Sequence, residues 1–313
     1  MRILQRVSPV VMLLLLLMLP RTVDAATIDQ FRAAFKSPPR EFSQVPFWFW
    51  NDEITEEGIR DQIAKMEAKG VYGFTIHARL GLSSAIPYMG ERWLQLVGVA
   101  VEEAARRNMQ VYLYDEGMYP SGSAHGRVVA ADPKFASQGL RMAARHFSGS
   151  REVAVEWAVA TGEQPVAAVM VQKDPASGKY LRATSSVLSQ ESLSALGIPQ
   201  GDWTVFLFTQ TPSGGRIRGV HDGEEDNQPG APASADLLNA AATAHFIAET
   251  HERYYQALSR HFGRTIRAIF TDEPNILGRR TKPGLVPWTW GFLDRLNAST
   301  GRDFATSLPF LWV

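Results

Sequence analysis

Along the chain, short apolar or aromatic runs alternate with longer stretches of helical period. VPFWFWN at 45–51 is aromatic, brief and preceded by a proline-rich break, which predicts a strand. TEEGIRDQIAKMEAKG then changes period: Ile59, Ile63 and Met66 share one helix face, Thr55 can cap its start and Gly70 ends it. VYGFTIHA at 71–78 predicts a second strand, ERWLQLVGVAVEEAARRN at 91–108 a second helix, and MQVYLYDE at 109–116 a third strand. A short helix (TIDQFRAAFKSPP) leads into this series, and another is expected within 123–137.

The rhythm then fails. EVAVEWAVA, EQPVAAVMVQK, KYLRATSSV and DWTVFLFTQ are separated by turn-rich segments without long helices, so roughly 139–220 reads as a β-rich insertion with an exit loop at 223–230. Trp203 is expected in that insertion's own core. A long helical pattern from Ala233 delivers the chain to a fourth strand, RAIFTDE, and WGFLDRLNASTGRDF predicts one more helix. The expected organisation is 26–138 and 233–313 as one α/β body, interrupted by 139–232.

Apolar strands alternating with amphipathic helices imply parallel pairing with helical crossovers. Four such units make about the first half of a (β/α)8 TIM-type barrel, so the predicted fold class is α/β, a partial barrel with a β-rich insertion. An open doubly wound sheet is the alternative, disfavoured because no Gly-x-Gly-x-x-Gly follows a strand. In both architectures ligands bind at the carboxyl ends of the strands.

Composition narrows the partners. Lysine plus arginine (32) balance aspartate plus glutamate (32) in 313 residues, which gives no electrostatic basis for a nucleic-acid or anionic-membrane partner. The N-terminus carries arginines in MRILQR, an apolar run VSPVVMLLLLLMLP, and small residues Val23 and Ala25 at signal-peptidase positions. Residues 1–25 are therefore expected to be a cleaved signal peptide, with the mature chain secreted or periplasmic and no membrane span thereafter. There is no cysteine, so neither disulfides nor a lipid-bearing cysteine are in play.

The strand ends collect polar chemistry. In order they present Trp48, Trp50, Asn51 and Asp52; His77 and Arg79; Asp115 and Glu116, with Tyr119 and Ser121 in the following loop; and Asp272 and Glu273. Paired acids at two strand ends, with arginine, histidine and aromatics, are what glycoside hydrolysis requires: a proton donor, a second carboxylate, hydroxyl-binding groups and a stacking platform. A carbohydrate is the expected substrate. Trp48 and Trp50 share a face by the strand period; Trp48 is assigned to core packing and Trp50, nearer the mouth, to stacking. His77 and Arg79 read as either hydroxyl-binding or structural. Gly117, Pro120 and Gly122 shape a turn. No Ser-His-Asp order, His-Glu-x-x-His or phosphate loop is found.

Three blocks, PFWFWNDEITEEGIRDQIAKMEAKGVYGFTIHARLGL, YDEGMYPSGSAHGRVV and DLLNAAATAHFIAETHERYYQALSRHFGRTIRAIFTDEPN, together resemble the barrel domain of the α-L-rhamnosidases of glycoside hydrolase family 106. The resemblance implies a large exported enzyme cleaving terminal α-L-rhamnose with inversion, with calcium helping to hold the sugar. By the same resemblance Glu273, in Thr-Asp-Glu-Pro, is expected to be the general acid, with Asp272 or a neighbouring carboxylate raising its pKa. Asp115 and Glu116 are expected as hydroxyl acceptors or calcium ligands, or as a structural pair.

Only four strand units are expected, so the sequence reads as a fragment of a longer enzyme, its base carboxylate expected beyond Val313 and residues 1–313 alone expected to be inactive. Rival readings are a non-catalytic carbohydrate-binding protein and a barrel glycosidase of another specificity.

Overall fold

The computed structural model describes residues 27–313. The expected signal peptide therefore lies outside the described residues. Among these, no helix is long and apolar enough to cross a membrane. The described residues divide into two units, 27–43 and 44–313. In the first, α1 (Ile28–Lys36) opens on a reciprocal capping box, in which Thr27 and Gln30 each accept from the other's backbone N–H.

The second unit begins with a parallel sheet. Strands β1 (Phe47–Trp50), β2 (Gly73–Ala78), β3 (Gln110–Tyr114) and β10 (Ile266–Phe270) lie side by side in chain order. The connecting helices are α2 (Glu56–Ala68), α3 (Glu91–Arg106) and, before β10, α5 (Ala240–Ile247) running through a π-helical turn into α6 (Arg253–Leu258). Thr55 caps α2 by accepting the Gly58 N–H at 3.1 Å, as its position suggested.

One core holds this layer together. From the strands come Trp48, Trp50, Phe74, Ile76, Val111 and Leu113, and from the helices Ile59, Ile63, Trp93, Leu96, Val97 and Tyr254. Alternation along a strand sends successive side chains to opposite faces, so the partners of these residues, Phe47, Phe49 and Phe270, lie on the other face and stay 40–43% exposed. The sequential strand order has no reversal, and the helix contacts of the core fall on one face, unlike a doubly wound sheet. Nor is a closed barrel present among the described residues: the parallel sheet has four strands, with β1 and β10 at its edges.

The expected β-rich insertion is an antiparallel sheet built on the long strands β4 (Gln138–Ser148), β6 (Gln164–Lys173) and β9 (Asp202–Pro212), with β7 (Ser186–Leu188) and β11 (Val286–Trp288) at its edges, in the order β11-β4-β9-β6-β7. Short strands β5 (Arg151–Val153) and β8 (Leu196–Ile198) pair separately, and Trp203 packs where expected, at the edge of this body's core. The C-terminal segment behaves differently from its sequence reading as a continuation of the α/β body. β11 (Val286–Trp288) pairs with β4, and Trp288, Leu293 and Leu308 pack with Leu140, Phe206 and Phe208 of the insertion. Apolar Trp288 and Leu293 thus find their partners on the antiparallel sheet.

Two helices are shorter than the periodicity predicts. Within 123–137, only α4 (Arg127–Ala131) is α-helical, because Ala124, His125 and Gly126 adopt left-handed backbone conformations. The pattern from Ala233 becomes helical only at Ala240; before it, Ala233 and Ala235 bridge to Arg216 and Ala136, and Asn239 caps the helix through the Ala241 N–H.

Candidate functional site

At the end of β10 the backbone leaves the sheet through Thr271, Asp272 and Glu273, and each carboxylate there meets a tyrosine. Tyr114, the last residue of β3, donates its phenol to Asp272 Oδ2 at 2.6 Å. Tyr119, in the loop after β3, donates to Glu273 Oε2 at 2.5 Å. Register explains the first contact, because Tyr114 pairs directly with Phe270, so the next residues of β10 run past its ring. Ser121 completes the splice: its N–H donates to the Asp272 carbonyl at 2.9 Å, and its hydroxyl accepts from the Asp272 N–H at 2.8 Å. Glu273 is exposed and has a φ of 38°, in the left-handed region costly for a non-glycine residue.

Below these acids lies an aromatic floor. Phe270 stacks on Tyr114 with centroids 5.9 Å apart and meets Phe47 edge-on at 5.2 Å. Phe49 carries the Arg79 guanidinium 4.5 Å above its ring centroid. Exposed aromatic faces with a cation and carboxylates beside them suit the apolar faces and hydroxyls of a sugar ring. His77 lies within this floor at 1% exposure, its ring 3.9 Å from that of Tyr114, with Nδ1 2.6 Å from the Ala78 carbonyl. Burial pushes its pKa down to about 4, so the imidazole is neutral near pH 7.

The other acid pair has a different fate. Glu116 has no exposed surface, and its carboxylate accepts from the N–H groups of Gly117, Gly122, Ser123 and Ala124 at 2.7–3.1 Å, and from that of His125. Burial pushes its pKa up to about 7, whereas the hydrogen bonds favour the anion. Five donors converging on two oxygens fit a carboxylate and leave no acceptor for a carboxylic proton. Asp115 is also fully buried, accepting from Ser121 and Thr271 hydroxyls at 2.6 Å each, and burial raises its pKa. His251, from the π-helical turn, comes within 3.9 Å of it.

Several expected site residues therefore take other roles. Trp50 is 1% exposed, wedged edge-on between Trp48 and Trp93 at 5.4 and 5.3 Å, so it is a core residue and not a stacking platform. Asp115, Glu116 and Ser121 shape the loop after β3, and buried they have no surface for a sugar hydroxyl. Nor do they suit calcium. A hard cation needs several free oxygens; the Glu116 oxygens are filled by five backbone donors, and the buried Asp115 oxygens each accept a hydroxyl; among the described residues no group of three or more acidic or histidine side chains is arranged to hold a metal ion. His77 is likewise packed among rings. Asn51 and Asp52 are exposed and line a recess of about 290 Å³ between β1 and α2. The residues brought together at the β3 and β10 ends are Tyr119, Asp272 and Glu273, and Arg79 joins the aromatic floor.

Phe49, Phe270 and Tyr114 were missed by the sequence reading. The signal for the first was present: if Trp48 and Trp50 face the helices, the two-residue period turns Phe47 and Phe49 toward the opposite face of the sheet. Tyr114 had only its position at the end of a strand to mark it.

No family model matches this sequence, and no curated protein matches it either. Among solved structures, the chain is similar to that of a rhamnosidase from Novosphingobium sp. PP1Y, with a TM-score of 0.57 and 13% identity. The match covers 91% of this chain and 42% of that one, so the chain spans less than half of the rhamnosidase's length. At this identity the likeness is one of fold: a mixed α/β architecture shared with part of a glycosidase.

Proposed function

We propose that this chain carries part of the active site of an exported glycoside hydrolase acting on terminal α-L-rhamnose, as the resemblance to family 106 implies. The observation that carries the reading is the Asp272–Glu273 pair at the end of β10, each carboxylate held by its own tyrosine beside exposed Phe49 and Phe270. A fold shared with a rhamnosidase supports it.

In this reading Glu273 is the general acid. Tyr119 donates to Oε2, which leaves Oε1 free to carry the proton that passes to the glycosidic oxygen as the bond to the sugar breaks. Asp272, oriented by Tyr114 and by the Ser121 backbone, accepts a sugar hydroxyl or steadies developing positive charge on the ring. Phe49 and Phe270 bear the apolar face of the sugar, and Arg79 meets its hydroxyls. An inverting reaction also needs a base carboxylate roughly 6.5–9.5 Å from the acid, to activate water on the opposite face.

Glu273→Gln in the full-length gene product is the test. The amide cannot supply the proton, so turnover of an alkyl α-L-rhamnoside, whose leaving oxygen must be protonated, is expected to fall roughly 10²–10⁴-fold, with rhamnose binding retained in a titration. Binding in the wild type without any turnover indicates the carbohydrate-binding alternative instead.

A further inference from the structure

The loop that leaves the insertion returns across the loop carrying Glu273. Arg216 and Arg279 exchange backbone hydrogen bonds in both directions at 2.8 Å, and the Arg218 N–H donates to the Tyr119 carbonyl at 2.8 Å. The same short run, 216–218, is thus stitched to both Tyr119 and Arg279.

Side chains continue the connection. Asp226, further along this loop, accepts from Arg279 Nε at 2.9 Å and from a second Arg279 N–H, and from Arg218 Nε and a terminal N–H at 3.2 and 2.9 Å. The two guanidiniums hold the Asp226 carboxyl far below the usual carboxylate range. Arg279 lies with its guanidinium 5.4 Å from the Tyr119 ring centroid, within cation–π reach. Tyr119 then donates to Glu273, whose backbone is held in a strained conformation.

We infer that Asp226 is a positioning residue: by fixing Arg279 against the Tyr119 ring, it sets the direction in which the Tyr119 phenol presents to Glu273. This rests on the glycosidase reading for its function, though the contacts themselves do not. It gives the insertion a role in the site, because Arg218 lies at the insertion's end and Asp226 in its exit loop. A forked guanidinium–carboxylate pair fixes orientation as well as charge, and a displacement of about 1 Å at a reacting group can cost about a hundredfold in rate.

Two readouts test it. The first is the titration of Tyr119, followed by NMR of ring-labelled tyrosine in the 313-residue chain and assigned with Tyr119→Phe. The groups acting on this phenol are Glu273 and Asp272, which raise its pKa, and Arg279, which lowers it; the hydrogen bond to Glu273 dominates and the net shift is upward. Asp226→Asn leaves Arg279 without its counter-charge and loosens the phenol from Glu273, so both effects lower the midpoint. Glu273→Gln lowers it as well. A midpoint unmoved by Asp226→Asn overturns the proposal. Should Asp226→Asn fail to fold, Arg279→Lys, which keeps the charge and loses the fork, is expected to shift the midpoint too, and no shift in it is equally fatal.

The second readout is kinetic, in the full-length gene product. Asp226→Asn is expected to lower kcat roughly tenfold to a hundredfold with KM changed less than about twofold, and Asp226→Glu to recover most of kcat. Loss spread equally over kcat and KM, or no rescue, contradicts positioning. A shifted Tyr119 midpoint in a protein that hydrolyses no rhamnoside leaves the contact chain standing and removes the rhamnosidase reading. Turnover with neither readout responding does the reverse.

Discussion

Glu116 and Glu273 both follow an aspartate at a strand end, and the local backbone decides their different chemistry. After Tyr114 the chain folds tightly over Glu116, with left-handed Gly122 and Ala124, and aims five N–H groups at one carboxylate. After Phe270 the chain runs outward and leaves Glu273 exposed with a single phenol donor. Glu116→Ala is therefore expected to destabilise the fold by roughly 3 kcal/mol or more, since several buried donors lose their acceptor. A urea unfolding midpoint unchanged from wild type would contradict that structural role. Tyr119→Phe, by contrast, is expected to leave the midpoint within experimental error and to lower turnover. The sequence showed both acid pairs, and the family resemblance gave Glu273 the acid's role, but the burial of Glu116 was not legible, because it depends on whether the next few N–H groups turn back, and so on backbone angles at Gly122, Ala124 and His125.

At the scale of elements, the alternation within β1 governs what each aromatic does. Trp48 and Trp50 belong to the helix-side core and Phe47 and Phe49 to the opposite face, and β10 contributes Phe270 to that second face. Trp50→Ala is expected to cost about 3–5 kcal/mol in stability, measured by denaturant unfolding, whereas Phe270→Ala is expected to weaken sugar binding with little change in stability. The reverse pattern would mean that the two faces have been assigned the wrong way round.

β2 adds a pH dependence. The folded chain holds His77 near pKa 4 through burial, and an unfolded histidine titrates near 6.5. Between those values the unfolded chain binds a proton that the folded chain refuses, so stability falls as pH drops from about 6.5 toward 4, and this group contributes nothing further above that window. His77→Gln is expected to remove up to about 3 kcal/mol of that slope, measured as the difference in unfolding free energy between pH 7 and pH 4. An equal slope in wild type and variant would show that His77 is not buried as a neutral ring.

Across the whole molecule, periodicity was enough to find the four parallel strands, the helices between them and the long antiparallel strands β6 and β9; it missed β4, and the run EVAVEWAVA is strand only at its first two residues. It could not show that β11 and the helix Phe292–Thr300 pack on the insertion, since apolar faces such as Trp288 and Leu293 carry no sign of which sheet they will cover. Nor could it show how closely the insertion's exit meets the β10 loop. At Gly215 a Cβ would stand 1.9 Å from the Leu277 carbonyl oxygen, so only glycine permits the approach. Gly215→Ala is expected to separate the loops and increase proteolytic cleavage around 216–232; a digestion pattern like that of wild type would argue against the close junction.

The proposed activity turns on Glu273 delivering a proton to a leaving oxygen, and leaving-group dependence measures that step directly. A dinitrophenyl rhamnoside departs without acid assistance, whereas an alkyl rhamnoside needs it. In the full-length gene product, Glu273→Ala is expected to hydrolyse the dinitrophenyl substrate nearly as fast as wild type and the alkyl substrate orders of magnitude more slowly. Equal losses on both substrates, or wild-type protein inert toward both, would contradict the assignment.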